Sequence, residues 1–78
     1  MSSILIIDDE QPIRKTLREI LEYEKFKVVE AENGLAALEL IKTNKFDVVL
    51  CDIKMPQMDG LEVLEKIQEL SDVPVVMI

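Results

Sequence analysis

The sequence predicts an α/β fold: a doubly wound parallel sheet with helices on both faces. Three observations carry this reading. Four short apolar runs recur along the 78 residues, helix-length amphipathic stretches separate them, and the runs are continuous rather than alternating. Continuous β-branched runs suit strands buried on both faces, as in parallel sheets, better than one-sided amphipathic strands. The resulting order, β-α-β-α-β-α-β, predicts right-handed crossovers and helices above and below one sheet.

The first run, Ile4-Leu5-Ile6-Ile7, stops at Asp8-Asp9. A helix then begins near Pro12, which suits the first helical turn because its missing N–H would be unpaired there. Ile13, Leu17, Ile20, Leu21 and Glu24 fall on one side of it, and Lys15 can pair with Glu19 on the outer face. Val28-Val29, with Ala31, forms a shorter second strand ending at Glu32-Asn33-Gly34. Asn33 is a good cap for a second helix that turns Ala37, Leu38 and Ile41 inward. Val48-Val49-Leu50-Cys51 is the third strand and stops at Asp52. The third helix opens at Asp59-Gly60-Leu61-Glu62, an acidic cap with Glu at the third helical position. Its expected core face is Leu61, Leu64, Ile67 and Leu70. The last strand is Val73-Pro74-Val75-Val76-Met77-Ile78. No repeat, low-complexity tract or linker divides the chain.

Composition narrows the function. The chain is 49% hydrophobic and 32% charged, which is ordinary for a globular domain and unlike a disordered tail. Cys51 is the single cysteine and there is no histidine, so neither an intrachain disulfide nor a Cys/His zinc set is available. A lone cysteine and no signal peptide point to a reducing, cytoplasmic setting. The apolar runs fall far short of the ~20 residues a membrane helix needs. A net charge of −7 argues against sequence-independent nucleic-acid binding and is compatible with a basic partner or a bound cation.

Parallel strands share a direction, so their C-terminal ends lie along one edge, where open α/β sheets bind ligands. Asp8 and Asp9 follow the first strand there, and Asp52 follows the third. If those strands are neighbours, three carboxylates converge and repel one another. A hard divalent cation such as Mg²⁺ relieves that repulsion, using one or two carboxylates and leaving room for water and a substrate phosphate. Asp52 at a strand end is also a candidate nucleophile, since carboxylates form acyl-phosphate intermediates. An Asp after a strand is otherwise a common turn or cap residue; what raises this set above that reading is acid at two separate strand ends.

Leu5-Ile6-Ile7-Asp8-Asp9-Glu10 resembles the first strand and acidic pair of response-regulator receiver domains. Asp47-Val48-Val49-Leu50-Cys51-Asp52-Ile53-Lys54-Met55-Pro56, followed by Met58-Asp59-Gly60, is similar to their phosphoacceptor strand and loop. Glu30-Ala31-Glu32-Asn33-Gly34 and the closing Val-Pro-Val-Val-Met-Ile resemble the second and fourth strands, so the likeness covers essentially the whole chain. The resemblance implies a flavodoxin-like sheet of strand order 2-1-3-4, with residues 1–78 forming the N-terminal portion of the domain. It implies that Asp52 takes a phosphoryl group from a phosphohistidine on a sensor histidine kinase and switches an output domain or downstream protein, such as a transcriptional regulator. Asp9 and Asp52 would bind Mg²⁺ (or Mn²⁺) directly, Asp8 through water, and the Lys54 backbone carbonyl would complete the protein ligands. The Lys54 side chain and Met55 would influence the rate of phosphate loss. Pro56 shapes the turn, Gly60 lets the third helix start, and Met55 and Met58 pack or shield the site, because thioethers are poor ligands for hard cations.

Such a module catalyses its own phosphorylation and dephosphorylation but is not a turnover enzyme. A haloacid-dehalogenase-like phosphatase is the enzymatic alternative, but it requires D-x-D where this chain has Asp8-Asp9-Glu10. A third reading is an inert structural fragment. Receiver domains continue beyond the fourth strand with a Ser or Thr, a fifth strand ending in Lys, and two more helices. With these absent, the fourth strand and the first-helix face are expected to be exposed and to invite a homo-oligomer.

Overall fold

The computed structural model describes residues 2–56 and 58–78. Seven elements alternate in the expected order: β1 (Ser3–Ile7), α1 (Gln11–Tyr23), β2 (Lys27–Ala31), α2 (Gly34–Thr43), β3 (Val48–Cys51), α3 (Gly60–Leu70) and β4 (Val75–Met77). The strands form one sheet of order β2-β1-β3-β4, with every pair parallel. The expected topology is therefore the observed one.

Alternation along the strands divides the core in two. Leu5, Ile7, Val49 and Cys51 pack with Ala37, Leu38 and Ile41 of α2 and Val63 and Ile67 of α3. Ile4, Ile6 and Val28 face the other way, against Leu17 and Leu21 of α1. β1 lies between β2 and β3, and Leu5, Ile6 and Ile7 are completely buried. Two-sided burial does not extend to β4, where Val76 and the following Ile78 are each 48% exposed. This strand lies at the sheet edge, with β3 as its one neighbour among the described residues.

Helix ends follow local chemistry. The Asn33 side chain accepts a hydrogen bond from the Ala36 N–H at 2.8 Å, and Asp59 accepts one from the Glu62 N–H at 2.9 Å. Both satisfy main-chain donors that the first helical turn leaves unpaired. α1 has no side-chain cap, and Pro12 sits in its first turn. After α1 the chain reverses through Lys25, whose φ of 70° places a non-glycine residue in the left-handed region.

Three side-chain expectations are corrected. In α3 the buried residues are Gly60, Val63 and Ile67, whereas Leu61 and Leu70 are exposed. At about 100° per residue, Leu61 and Leu70 lie on opposite sides of a helix, while Gly60, Val63 and Ile67 share about one sixth of its circumference. In α1 only Leu17 and Leu21 reach the core; Ile13 and Ile20, at one edge of the apolar stripe, stay exposed. The pairing expected between Lys15 and Glu19 is replaced by Arg18, which pairs with Glu22 at 3.2 Å and Glu30 at 2.8 Å. No helix among the described residues is long and apolar enough to cross a membrane.

Candidate functional site

The sheet register builds the site. Ile7 of β1 lies beside Cys51 of β3, so the residues that follow, Asp8 and Asp52, leave the sheet side by side. The ladder continues through both: Asp52 N–H donates to Ile7 O at 2.9 Å, and Asp8 N–H donates to Ala31 O at 3.2 Å. One carboxylate oxygen from each of Asp8, Asp9 and Asp52 lies within 4.8 Å of the others. Asp8 is buried, Asp52 half-buried and Asp9 exposed, so the cluster is rooted in the fold and open at its rim.

Its electrostatics are unfavourable as it stands. Burial lifts the Asp8 carboxyl above its ordinary range, opposed first by the hydrogen bond from the Glu10 N–H. The charges of Asp52 and Asp9 raise it further, and Arg14 lowers it least. A site made only of crowded oxygen donors, one buried and others open to water, fits a hard divalent cation that keeps part of its hydration. The Asp52 Oδ1 atom accepts a 3.3 Å hydrogen bond from the Lys54 N–H; among the described residues, Oδ2 receives none. Burial pushes the neighbouring Cys51 thiol up to about 11, with the Asp52 and Asp8 charges adding to the effect.

All three carboxylates expected at the site are brought together. Lys54 and Met55 lie in the loop just beyond, and Met55 is buried in the α2/α3 side of the core. Met58 packs against the same core, and Met55, Pro56 and Met58 line a cavity of about 160 Å³ with Asp9, Glu32 and Asn33. Glu10 stays outside the cluster, exposed at the start of α1. Gly60 admits the start of α3 for a reason of space. A Cβ there would overlap Asp52 O and come within 2.7 Å of Ile53 Cα, while its φ is not positive.

Sequence reasoning passed over Arg14. Its guanidinium donates from Nη1 to Asp8 O at 2.6 Å and from Nε to Glu30 Oε1 at 3.0 Å. A faint signal existed: a cation this near a helix N-terminus opposes the helix dipole and calls for a specific partner.

A family model described as the response regulator receiver domain matches residues 4–78. The chain belongs to this family. The transcriptional regulatory protein SrrA of Staphylococcus aureus (strain NCTC 8325 / PS 47) is 42% identical over 77 residues, 99% of this chain and 32% of that protein. The chain thus spans about a third of the length of the curated relatives it matches. Among solved structures, a CheY-like receiver domain protein from Methanospirillum hungatei JF-1 matches with a TM-score of 0.96 and 36% identity, covering 99% of this chain and 62% of that one. The structure of histidine kinase ThkA in complex with response regulator TrrA contains a chain matching at 0.93 and 38% identity, over 99% of this chain and 67% of that one. The family is that of two-component signalling, and its flavodoxin-like fold is the one described above.

Proposed function

We propose that this chain is the phosphoacceptor module of a two-component system, with Asp52 as the residue phosphorylated. The observation that carries the reading is the convergence of Asp8, Asp9 and Asp52 from two adjacent strand ends, with carboxylate oxygens within 4.8 Å. The Asp52 carboxylate attacks the phosphorus of a phosphohistidine on a sensor histidine kinase. An O–P bond forms as the P–N bond breaks, and its electron pair stays with the imidazole. The Ile7 and Lys54 main-chain contacts hold Asp52 at the sheet edge, with Oδ2 free of protein donors among the described residues. Asp8, Asp9, Asp52 and the Lys54 backbone carbonyl would hold Mg²⁺ (or Mn²⁺), with Asp8 acting through water. The bound cation supplies charge neutralisation for the phosphoryl oxygens and for the carboxylates around them.

Residues 1–78 act here as the N-terminal portion of a receiver domain. The module is a cytoplasmic switch for an output domain or downstream protein, and a DNA-binding output fits the transcriptional regulators it is similar to. Its phosphorylation and dephosphorylation are self-catalysed, with no turnover of an outside substrate. The test is a thermal melt of the chain and its Asp52→Asn variant in Mg²⁺, with and without beryllofluoride as phosphoryl mimic. A ligand that binds only the folded form raises the melting temperature. The expected result is a Mg²⁺-dependent rise with beryllofluoride that the variant loses; an equal rise in the variant would remove Asp52 from its assigned role.

A further inference from the structure

Asp8 lies one residue beyond β1, and its carbonyl is held by a side chain. Among the described residues, the one donor to Asp8 O is Arg14 Nη1, at 2.6 Å. That carbonyl belongs to the peptide joining Asp8 to Asp9. Its orientation sets ψ of Asp8 and φ of Asp9, the two torsions that aim both carboxylates. Among the described residues Asp8 makes two other hydrogen bonds: its N–H donates to Ala31 O on β2 at 3.2 Å, and its Oδ1 accepts from the Glu10 N–H at 2.8 Å. The Glu10 bond closes a turn that spans the same peptide, while Arg14 holds that peptide's own carbonyl.

We infer that Arg14 is a positioning residue of the acidic cluster, fixing the Asp8–Asp9 peptide so that both carboxylates face Asp52. The inference rests on the metal-site reading proposed above. The arginine is itself immobilised: its side chain is 11% exposed, and Nε donates to Glu30 Oε1 at 3.0 Å. Glu30 sits on β2 opposite Ile6 of β1, and its second oxygen is held by Arg18 Nη1 at 2.8 Å. The strand beside β1 thus braces the guanidinium, and the guanidinium braces the turn.

Two donors in a fixed planar fork are needed, one for each acceptor. A lysine ammonium keeps the charge but not the fork. Arg14 donates to the Asp8 carbonyl and to Glu30, and to neither carboxylate of the Asp8-Asp9 pair, so its effect runs through the main chain.

The experiment compares the chain with Arg14→Lys, Glu30→Gln and Arg18→Ala, each checked for folding by far-UV circular dichroism. Mn²⁺ binding is followed by electron paramagnetic resonance. Amide exchange of Asp9 and Glu10 is followed by NMR in the metal-free protein. Arg14→Lys is expected to weaken Mn²⁺ binding by about tenfold, the lower end of what hydrogen-bond partners of metal ligands carry. It should also speed exchange at both amides. Glu30→Gln should move both readouts the same way and less far, which keeps the test open if Arg14→Lys does not fold. Arg18→Ala, which removes a partner of Glu30 but none of Asp8, should leave both close to wild type. Wild-type affinity and exchange in Arg14→Lys would overturn the inference. So would an equal loss in Arg18→Ala, which would assign the effect to the ion-pair network as a whole. If the wild-type chain binds no Mn²⁺, the metal reading fails, and the exchange rates alone decide whether Arg14 fixes the turn.

Discussion

Replacing Gly60 by alanine pits two opposing effects against each other at the start of α3. Alanine is the better helix former by about 1 kcal/mol in a helix interior and by less at a helix end. Because the φ of Gly60 is not positive, alanine meets no backbone strain there. On propensity alone the variant would be more stable. Packing opposes this: the added Cβ would overlap Asp52 O, lie 2.7 Å from Ile53 Cα and 2.8 Å from Met77 Cε. Only the methionine methyl can swing aside. The other two atoms are main chain, tied down by Gly60 N–H to Ile53 O at 2.8 Å and Asp52 N–H to Ile7 O at 2.9 Å.

Overpacking of this kind costs about 1–3 kcal/mol. Subtracting a propensity gain of about 0.5 kcal/mol at this helix end leaves a net loss of about 0.5–2.5 kcal/mol. In a domain this small each kcal/mol shifts the melting temperature by about 4–8 °C. Urea unfolding should show a lower midpoint at an unchanged slope, since the surface exposed on unfolding is the same. A midpoint equal to or above wild type would refute the close-approach argument and leave Gly60 as an ordinary helix residue.

Three further predictions concern single sites. Lys25→Gly should stabilise the chain by about 0.5–1 kcal/mol, because relief of a left-handed residue exceeds the entropy glycine adds to the unfolded state; an unchanged urea midpoint would contradict this. In the metal-free chain, Asp8→Asn should raise stability at neutral pH. The folded Asp8 carboxyl lies above its ordinary 3.8, so its unfavourable contribution is absent below that value and grows as pH rises through the folded pKa. The gain should therefore vanish in acid, and urea midpoints across pH check it. Cys51, wholly buried with its thiol pushed up to about 11, should resist iodoacetamide at mildly alkaline pH until urea unfolds the chain; rapid native labelling, followed by mass, would refute that.

What was legible in the sequence follows from how far each feature depends on local pattern. Ile4 to Ile7 and Val48 to Cys51 read as strands because their apolar runs and acidic stops are contiguous. The same contiguity placed Asp8, Asp9 and Asp52 at one sheet edge once β1 and β3 proved to be neighbours. Helix faces were less legible. In α3 the leucines are the conspicuous apolar residues, yet the buried stripe runs through a glycine, a valine and an isoleucine. Counting by threes from Leu61 drifts around the helix, and nothing local shows that the contact with Asp52 requires the one residue without a side chain. Arg14 was less visible still. Its two acceptors, Asp8 O and Glu30 Oε1, lie on different elements and meet only after β2 pairs with β1.

On the metal-site reading proposed above, the acidic cluster ties the fold's stability to both pH and cation, with opposite signs. Without metal, the buried Asp8 beside two other carboxylates makes the native state lose stability as pH rises through the folded pKa. With saturating Mg²⁺ the cation competes with protons for the same oxygens, so the native carboxylates hold protons less tightly than the unfolded chain does. Stability then rises with pH over the carboxylate range. Glu30, whose carboxyl is held low chiefly by the Arg18 hydrogen bond, adds a rising contribution of its own to both curves, lost as pH falls. The difference between urea midpoints with Mg²⁺ and with EDTA removes that shared part and isolates the cluster. It should widen steadily from acid to neutral pH and collapse in Asp9→Asn, which changes an exposed carboxylate of the cluster and leaves the core intact. A difference independent of pH would mean that Mg²⁺ binds elsewhere, and the three carboxylates would then be only the ends of two strands.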